Sequence, residues 1–411
     1  MSSAASPPPA SPPPGSPVCG STVPGAPAPG SPPAPQVPDE VLLARAYLLR
    51  VAEPPAPALA RFVEEHGPVA AAARVRRGEV PEPVDGETAA RRAADRAAAD
   101  IAAAAACGAW LLTPEHDEWP QWPFSAFAVS ADPQLAAPLA LWVRGPSRLA
   151  ELCERAVAIV GSRACTSYGR HVAQELAVAV AERGYTVVSG AAIGIDGAAH
   201  RGALSIEGPT VAVMACGVER AYPAAHETLL ARVAAGGLVV SEYPPGAVPA
   251  KHRFLVRNRL IAAMAAGVVV VEAGMRSGAA RTAADAARLG RHVMAVPGPV
   301  TCGVSAGCHR MIREGAELVT RPEEVLESVG RIGLDLAEPP TGPGRPTDGL
   351  DRAAVLVHDA LPARAPRECG WLAMEAGVPQ DAVRVALVEL ERRGLAEHRE
   401  GRWRRRPQCA P

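Results

Sequence analysis

Between residues 156 and 298 short apolar runs alternate with helical stretches, and this alternation limits the possible folds more than any other feature. The runs are apolar at successive positions, which predicts strands that are buried on both faces. Strands of this kind, separated by helices, indicate a parallel sheet with helices on either side. The predicted strands are Ala156–Val160, Thr186–Ser189, Thr210–Met214, Leu238–Ser241, Val268–Glu272 and His292–Val296.

These strands and helices predict an α/β fold, an extended Rossmann-like doubly wound parallel sheet. We assign residues 151–333 to this domain. A Pro- and Gly-rich linker is predicted over 334–350. Residues 351–406 then show the order helix, helix, turn, helix and basic hairpin, which predicts a winged-helix domain.

The N-terminal part of the chain has a different composition. Residues 1–37 are almost wholly Pro, Ala, Ser and Gly, which predicts a disordered tail. Residues 38–150 predict a helical N-terminal domain that ends in an irregular connector rich in Trp and Pro. An alanine-rich stretch over 88–107 predicts one longer helix within it.

Composition limits the classes of function. The net charge is −1 over 411 residues, so any affinity for nucleic acid must come from local clusters of cations. The nine cysteines are scattered without C-x-x-C pairs, so neither a disulfide framework nor a zinc site is indicated. We find neither a secretory signal nor an apolar stretch long enough to span a bilayer, which predicts a soluble cytoplasmic protein without membrane contact.

Small residues follow several of the predicted strands. In an open parallel sheet, ligands bind beyond the carboxyl ends of the strands, where free backbone amides can accept a phosphate. One glycine-bearing loop more often indicates a tight turn, but several at one sheet edge favour a binding site. The candidates are Gly161, Ser162 and Arg163 after the first strand, Ser189, Gly190 and Gly194 after the second, and Ser277 and Gly278 after the fifth.

A basic segment over 251–259 supplies further candidates. Its alternative interpretation is a solvated basic loop. An apolar helix continues directly from it, however, so its cations lie at a helix start, where the dipole disfavours them and a bound anion would compensate. Arginine together with an aromatic ring is typical of single-strand binding. The candidates are Lys251, Arg253, Phe254, Arg257, Asn258 and Arg259.

Several catalytic and cofactor motifs are missing from the sequence. There is no G-x-G-x-x-G after the first strand, no G-x-x-x-x-G-K-[ST] and no H-E-x-x-H. We therefore predict no cofactor, no metal and no catalytic residue. Glu272 at a strand end is a candidate general base, and a carboxylate that holds an arginine or caps a helix is at least as good an interpretation.

The order and spacing of these motifs resemble the DNA-processing protein A family (DprA, also called Smf). The resemblance covers residues 39–330, and the last unit is similar to that family's optional winged-helix domain. The motifs are Val160-Gly161-Ser162-Arg163, Ser189-Gly190, Gly194-Ile195-Asp196, Tyr222-Pro223, Arg257-Asn258-Arg259, Glu272-Ala273, Ser277-Gly278 and Ala295-Val296-Pro297-Gly298.

The resemblance implies a function without a catalytic step. Members of this family are expected to bind single-stranded DNA, to protect it on entry during natural transformation, and to load the recombinase RecA onto it as homodimers. Carried over to this chain, Arg163 and the amides beside it would grip phosphate. The basic segment would line the same groove, with Phe254 against a base.

Two other functions remain open from the residues alone. Related Rossmann-like folds cleave nucleotides at the N-glycosidic bond, although the G-G-G-x-G-x-M-G and P-G-G-x-G-T-x-x-E loops typical of those enzymes are missing. A regulator that binds duplex DNA through the winged helix is the second alternative.

Overall fold

The computed structural model describes residues 37–130, 132–330 and 345–407. These form two compact units, one up to residue 330 and one from residue 345 onward. Apart from Val37, the predicted tail over 1–37 lies outside the described residues, and so does most of the predicted linker over 334–350.

One nine-stranded sheet runs through the first unit. Its strands are β1 (Ala109–Leu112), β2 (Leu141–Arg144), β3 (Ala156–Val160), β4 (Thr186–Ser189), β5 (Thr210–Met214), β6 (Leu238–Ser241), β7 (Gly267–Val270), β8 (His292–Ala295) and β9 (Glu317–Leu318). The order across the sheet is β1-β2-β6-β5-β4-β3-β7-β8-β9. The strands from β6 to β9 in this order pair in parallel, whereas β1 and β2 pair antiparallel.

Helices precede and connect these strands. They are α1 (Asp39–Val51), α2 (Pro57–His66), α3 (Pro68–Arg77), α4 (Glu82–Thr88), α5 (Ala97–Ala106), α6 (Gln121–Phe124), α7 (Ala126–Val129), α8 (Leu149–Glu154), α9 (Ser167–Glu182), α10 (Ile195–Ser205), α11 (Glu227–Gly236), α12 (Lys251–Ala263), α13 (Gly278–Arg288), α14 (Ala306–Arg313) and α15 (Pro322–Val329). Among the described residues, none of the helices has the length and apolarity needed to cross a membrane.

The central strand β3 shows why its sequence is apolar throughout. Val157 and Ile159 pack in a layer with α9 and α10, whereas Ala158 and Val160 pack in a layer with α12 and α13. Both faces of the sheet are therefore covered, and alternation with polar residues would bury unpaired groups. The predicted α/β fold with a large, mostly parallel sheet is confirmed, and each of the six predicted strands is present.

The connector before β3 was not correctly predicted. It contributes β1 and β2, which extend the sheet through the pairing of β2 with β6. The alanine-rich stretch is also not one helix, because a short 3-10 helix over Ala89–Arg91 is separated from α5. The Asp95 carboxylate accepts a hydrogen bond from the backbone N–H of Ala97 at 3.3 Å. Such a local bond competes with the helical one and marks the start of the new helix.

The second unit combines short helices with a small sheet. Its elements are α16 (Arg352–Ala360), β10 (Arg367–Glu368), α17 (Cys369–Ala376), α18 (Gln380–Arg392), β11 (Ala396–Arg399) and β12 (Arg402–Arg405). The three strands pair antiparallel in the order β10-β12-β11. Its core centres on Leu372, Val383 and Leu387, which are almost completely buried.

Candidate functional site

The candidate residues gather where the parallel strands end. The loops after β3, β4, β5, β6 and β7 all leave the sheet at its carboxyl edge, and α12 begins there. The whole basic segment over 251–259 is helical, so it forms the first turns of α12 and not a loop. Its side chains consequently divide between the protein interior and the surface.

Three consecutive residues in the middle of α12 are buried, and we call Arg257, Asn258 and Arg259 the inner cluster. Arg259 is only 1% exposed and forms a two-pronged ion pair with Glu242, at 2.8 and 2.7 Å. Its Nε donates to the Ala136 carbonyl oxygen at 2.9 Å. The guanidinium of Arg259 thus ties α12 to the loop after β6 and is not presented at the surface.

Arg257 holds the loop after β4 through hydrogen bonds to backbone carbonyl oxygens. Its Nη1 donates to the carbonyl oxygens of Gly190, at 2.8 Å, and of Val213. A Cβ at Gly190 would lie 2.5 Å from the Arg257 guanidinium, so glycine is needed there for close approach. Burial lowers the pKa of Arg257 to about 10, which still leaves it charged at neutral pH.

The remaining member of the inner cluster holds the start of α13. The Asn258 side-chain amide donates to the Gly278 carbonyl oxygen at 3.2 Å. Ser277 is the N-cap of that helix, and its hydroxyl accepts a hydrogen bond from the Ala280 N–H at 3.2 Å. The predicted pair Ser277 and Gly278 therefore lies at an ordered helix start, with Gly278 exposed.

The Asp196 carboxyl group lies against backbone amides of the loops after β3 and β4, which the sequence predicted to bind phosphate. Asp196 is buried, and it accepts a hydrogen bond from the Ala192 N–H at 3.3 Å. Burial raises the pKa of Asp196, while the charge of Arg257 and the backbone amides of Ala192, Gly161 and Gly190 act in the opposite direction. These amides already face an internal carboxyl group, so a ligand would bind further out.

The loops after β3 and β4 pack back to back. The Ser162 carbonyl oxygen accepts the Ile195 N–H at 3.2 Å, and the Ser162 hydroxyl accepts the Ala164 N–H at 3.2 Å. Gly194 has φ +93°, and a Cβ on it would lie 2.2 Å from the Ser162 carbonyl oxygen. Ser189 is buried and donates to the Ile159 carbonyl oxygen at 2.7 Å. These contacts leave Arg163 exposed at the tip.

Three side chains at the surface form what we call the outer stack: Arg163, Phe254 and Tyr222. The Arg163 guanidinium carbon lies 5.1 Å from the centre of the Phe254 ring. On the same ring, Tyr222 packs with a centroid distance of 5.4 Å. Arg163 and Tyr222 are exposed and Phe254 is half-buried. A cation and two aromatic rings are thus held together in contact with solvent.

Two cations near the outer stack differ in their bonding. Lys251, the first residue of α12, is exposed and has no ion pair or side-chain hydrogen bond within the described part of the chain. Arg253 instead donates to the Glu53 carboxylate at 2.7 and 2.9 Å. Burial alone would raise the pKa of Glu53, but hydrogen bonds from Arg253, Arg91 and His252 lower it to about 2. Arg253 therefore joins α12 to the turn after α1.

Glu272, the candidate general base, holds the N-cap residue of a helix. Its carboxylate accepts the Thr166 N–H at 2.9 Å and the Thr166 hydroxyl at 2.5 Å, and Thr166 is the N-cap of α9. A Cβ at Gly169 would lie 2.4 Å from this carboxylate, so the helix approaches it closely. Within residues 37–130, 132–330 and 345–407, no group of His, Cys, Asp and Glu side chains could hold a metal ion.

Sequence reasoning did not single out two residues of this region for binding. Tyr222 was part of a family motif only, although an aromatic residue in the loop after β5 shares its sheet edge with Arg163 and is therefore a recognisable signal. Glu53 carried no such signal, because its partner Arg253 is 200 positions away in the chain.

Comparison with known proteins relates the chain to one family. A model of the family described as DNA recombination-mediator protein A matches residues 110–330. A DNA processing protein DprA of Mycobacterium tuberculosis is 53% identical over 369 residues, which cover 89% of this chain and 95% of that protein. Protein Smf of Escherichia coli is 39% identical over 294 residues, with 69% and 76% covered.

A solved structure agrees with this relationship. The X-ray structure of DNA processing protein A from Streptococcus pneumoniae superposes with a TM-score of 0.58 at 31% sequence identity. The match covers 70% of this chain and 98% of that one.

Proposed function

This chain belongs to the DNA recombination-mediator protein A family, and from that premise we propose that it binds single-stranded DNA at the outer stack. The observation that carries the proposal is the contact of the exposed Arg163 with Phe254, and of Phe254 with Tyr222. The stack lies at the carboxyl edge of the sheet, where ligands of open α/β sheets bind.

The chemistry of the outer stack suits a single strand. An unpaired base exposes a flat face that stacks on an aromatic ring, at about 1–3 kcal/mol per base and with little preference for its identity. The guanidinium of Arg163 can bind a backbone phosphate, and the exposed Lys251 adds charge nearby. A duplex hides its base faces and would gain only the phosphate contacts.

We propose that the bound strand is not chemically altered. The alternative, a nucleotide-cleaving enzyme, depends on Glu272 as a base, but both oxygens of its carboxylate are bonded to Thr166 and the side chain is 2% exposed. Incubation with nucleotides and with oligo-dT, followed by chromatography for released base, tests this; release of base at a catalytic rate would contradict it.

We further propose delivery of the strand to the recombinase RecA, by a homodimer in the cytoplasm. The description of the family as a recombination mediator supports the first part. Assembly of RecA on oligo-dT, followed by light scattering with and without the protein, tests delivery. Sedimentation velocity tests the dimer, and a monomer at all concentrations would contradict it.

For the second unit we propose a winged-helix fold that serves in protein contacts. The order of its helices and strands supports the fold. On α18, Val385 and Val388 are 71% and 64% exposed, while Arg392 and Arg393 both pair with Glu389. A helix that reads duplex bases presents polar side chains to the groove. A gel-shift assay with duplex DNA tests this role. Sequence-specific binding of a duplex that is lost in Val385→Glu would contradict it and favour a regulator.

The main proposal is tested by fluorescence anisotropy with labelled oligo-dT and with a duplex of equal length, over a salt series. We expect tighter binding to the single strand and an affinity that falls with salt as counterions are released. Arg163→Ala should weaken binding by about ten- to a hundredfold, since a charge-assisted hydrogen bond contributes about 1.5–3 kcal/mol, with an unchanged melting temperature.

A matched control is available on the opposite edge of the sheet. Arg183 is exposed, lies in the turn between α9 and β4, and has no ion pair or side-chain hydrogen bond among the described residues. Arg183→Ala removes the same charge and should retain the affinity. Equal affinity for duplex and single strand, or an equal weakening in the two variants, would show that the outer stack is not the binding site.

A further inference from the structure

A basic cavity of about 510 Å³ lies between the N-terminal helices and the loop after β6. This size is within the range of pockets that hold small ligands, about 300–1,000 Å³. The residues that define it here are Arg50, Arg91, Arg96, Arg253, Glu53 and Tyr243.

The charges that line the basic cavity are unequal. Arg50 is matched by the buried Asp100, through hydrogen bonds at 2.8 and 2.5 Å. Glu53 is the one acidic residue of the lining within the described part of the chain, and Arg91, His252 and Arg253 all bond to it. Arg96 is exposed and has no ion pair or side-chain hydrogen bond within the described ranges. The lining therefore carries positive charge that no carboxylate compensates.

Tyr243 provides an independent sign of a missing partner. Its side chain is 2% exposed, and its buried hydroxyl has no hydrogen-bond partner among the described residues. The Arg253 guanidinium carbon lies 4.7 Å from the centre of its ring. Burial raises the pKa of Tyr243, so the hydroxyl keeps its proton and remains a donor. Buried donors in proteins are almost always paired, and this unpaired one belongs to a residue that lines the cavity.

The basic cavity continues the line of the outer stack. Strands β3, β4, β5 and β6 are neighbours in this order. Arg163 follows β3, Tyr222 follows β5 and Tyr243 follows β6, so all three lie along one sheet edge. On α12, Arg253 lines the cavity while the next residue, Phe254, belongs to the outer stack.

We propose that the basic cavity binds backbone phosphates of the same DNA strand whose bases contact the outer stack. The Arg96 guanidinium, which has no internal acceptor among the described residues, offers paired N–H donors that match phosphate oxygens. The strand then crosses the edge of the sheet from β3 to β6, with base stacking at the outer stack and additional phosphate contacts at the cavity. This inference rests on the proposed function and adds a second contact region to it.

The test compares oligo-dT of about 4 and about 16 nucleotides, which spans the usual range of site sizes for single-strand-binding domains. Arg96→Glu should weaken binding of the longer oligomer by about tenfold and leave binding of the shorter one unchanged. With the longer oligomer, Arg96→Ala should reduce the slope of log affinity against log salt by about 0.7 for each phosphate that the side chain no longer neutralises. Neither change removes an ion pair or a side-chain hydrogen bond within the described residues, and Arg183→Ala is the matched control.

Failure of this inference is distinct from failure of the proposed function. If Arg163→Ala weakens binding of both oligomers while Arg96→Glu binds both like the wild type, the basic cavity is not part of the path. If neither variant changes binding, the outer stack fails as well. Binding of thymidine monophosphate that is abolished in Arg96→Glu, without any effect on the longer oligomer, would make the cavity a site for free nucleotides and overturn the proposal.

Discussion

The middle of α12 and its first turns both carry basic side chains, but those in the middle are buried and several of those near the start are exposed. In the inner cluster, Arg257 and Arg259 donate to carbonyl oxygens and to Glu242, deep in the protein. Around the first turns, Lys251 and the nearby Arg163 are exposed and form no ion pair among the described residues. The number of arginines in a segment therefore does not show how many phosphates it can bind. That number depends on the N–H donors that have no acceptor within the protein.

The largest expected effect is a loss of stability, and it tests the structural role of the inner cluster. Arg259→Ala leaves the Glu242 carboxylate buried without its partner, which should lower the free energy of unfolding by about 3–5 kcal/mol. Urea denaturation followed by circular dichroism measures this. The folded fraction should bind oligo-dT with wild-type affinity. A variant with native stability and reduced DNA affinity would reverse the roles that we assign to the two halves.

Replacement of the ring in the outer stack should have a smaller effect, and on binding. Phe254→Ala removes the surface on which a base stacks, so the free energy of oligo-dT binding should become less favourable by about 1–3 kcal/mol. Fluorescence anisotropy measures this change, and Phe254→Tyr serves as the control because it keeps a stacking face. If Phe254→Ala loses stability as Arg259→Ala does and keeps its DNA affinity, the ring stabilises the fold and does not stack on a base.

The smallest effect concerns Arg253, which lies on the first turns of α12 but is bound to Glu53. The folded-state pKa of Glu53, about 2, is below its ordinary value of 4.5. Its ionised form therefore stabilises the fold at every pH above 4.5, and this stabilisation disappears as the pH falls from 4.5 towards 2. Glu53→Gln removes the titration, so its stability deficit against wild type should shrink over that interval.

The deficit itself should be about 1 kcal/mol or less at neutral pH, because the Glu53 side chain is 25% exposed and solvent screens the pair. Urea denaturation at a series of pH values measures it. Glu64→Gln is the control, since Glu64 is exposed and has no ion pair in the part of the chain that the structure describes. A stability deficit that stays constant with pH would mean that Glu53 does not titrate through its pair with Arg253, and that this pair does not stabilise the fold.

The sheet was predictable because its strands are buried on both faces, and this leaves a continuous apolar signal of the kind seen in Ala156–Val160. By contrast β1 and β2 are four residues each and are separated by an irregular segment, so their pairing with each other and with β6 is a tertiary effect. Short strands of this type leave too little pattern in a sequence.

The sequence indicated where the candidate side chains lie, but not which acceptors hold them. The order of strands and loops brought Arg163 and Phe254 to one sheet edge, as the spacing of the motifs suggested. Which cations remain exposed depends on acceptors elsewhere in the chain, such as Glu242 for Arg259 and Glu53 for Arg253. Charge patterns along a sequence do not reveal such partners. The binding roles of these residues remain predictions.

The carboxylate of Asp196 has a consequence for how a bound strand would leave. Because it lies against the amides of the loops after β3 and β4, it occupies the place where those amides would otherwise enclose a phosphate. At these two loops a strand would therefore rest on the surface, held there by contacts that can break one at a time. If the strand is delivered to a recombinase as we propose, contacts of this kind could be exchanged one nucleotide at a time, without complete release of the strand.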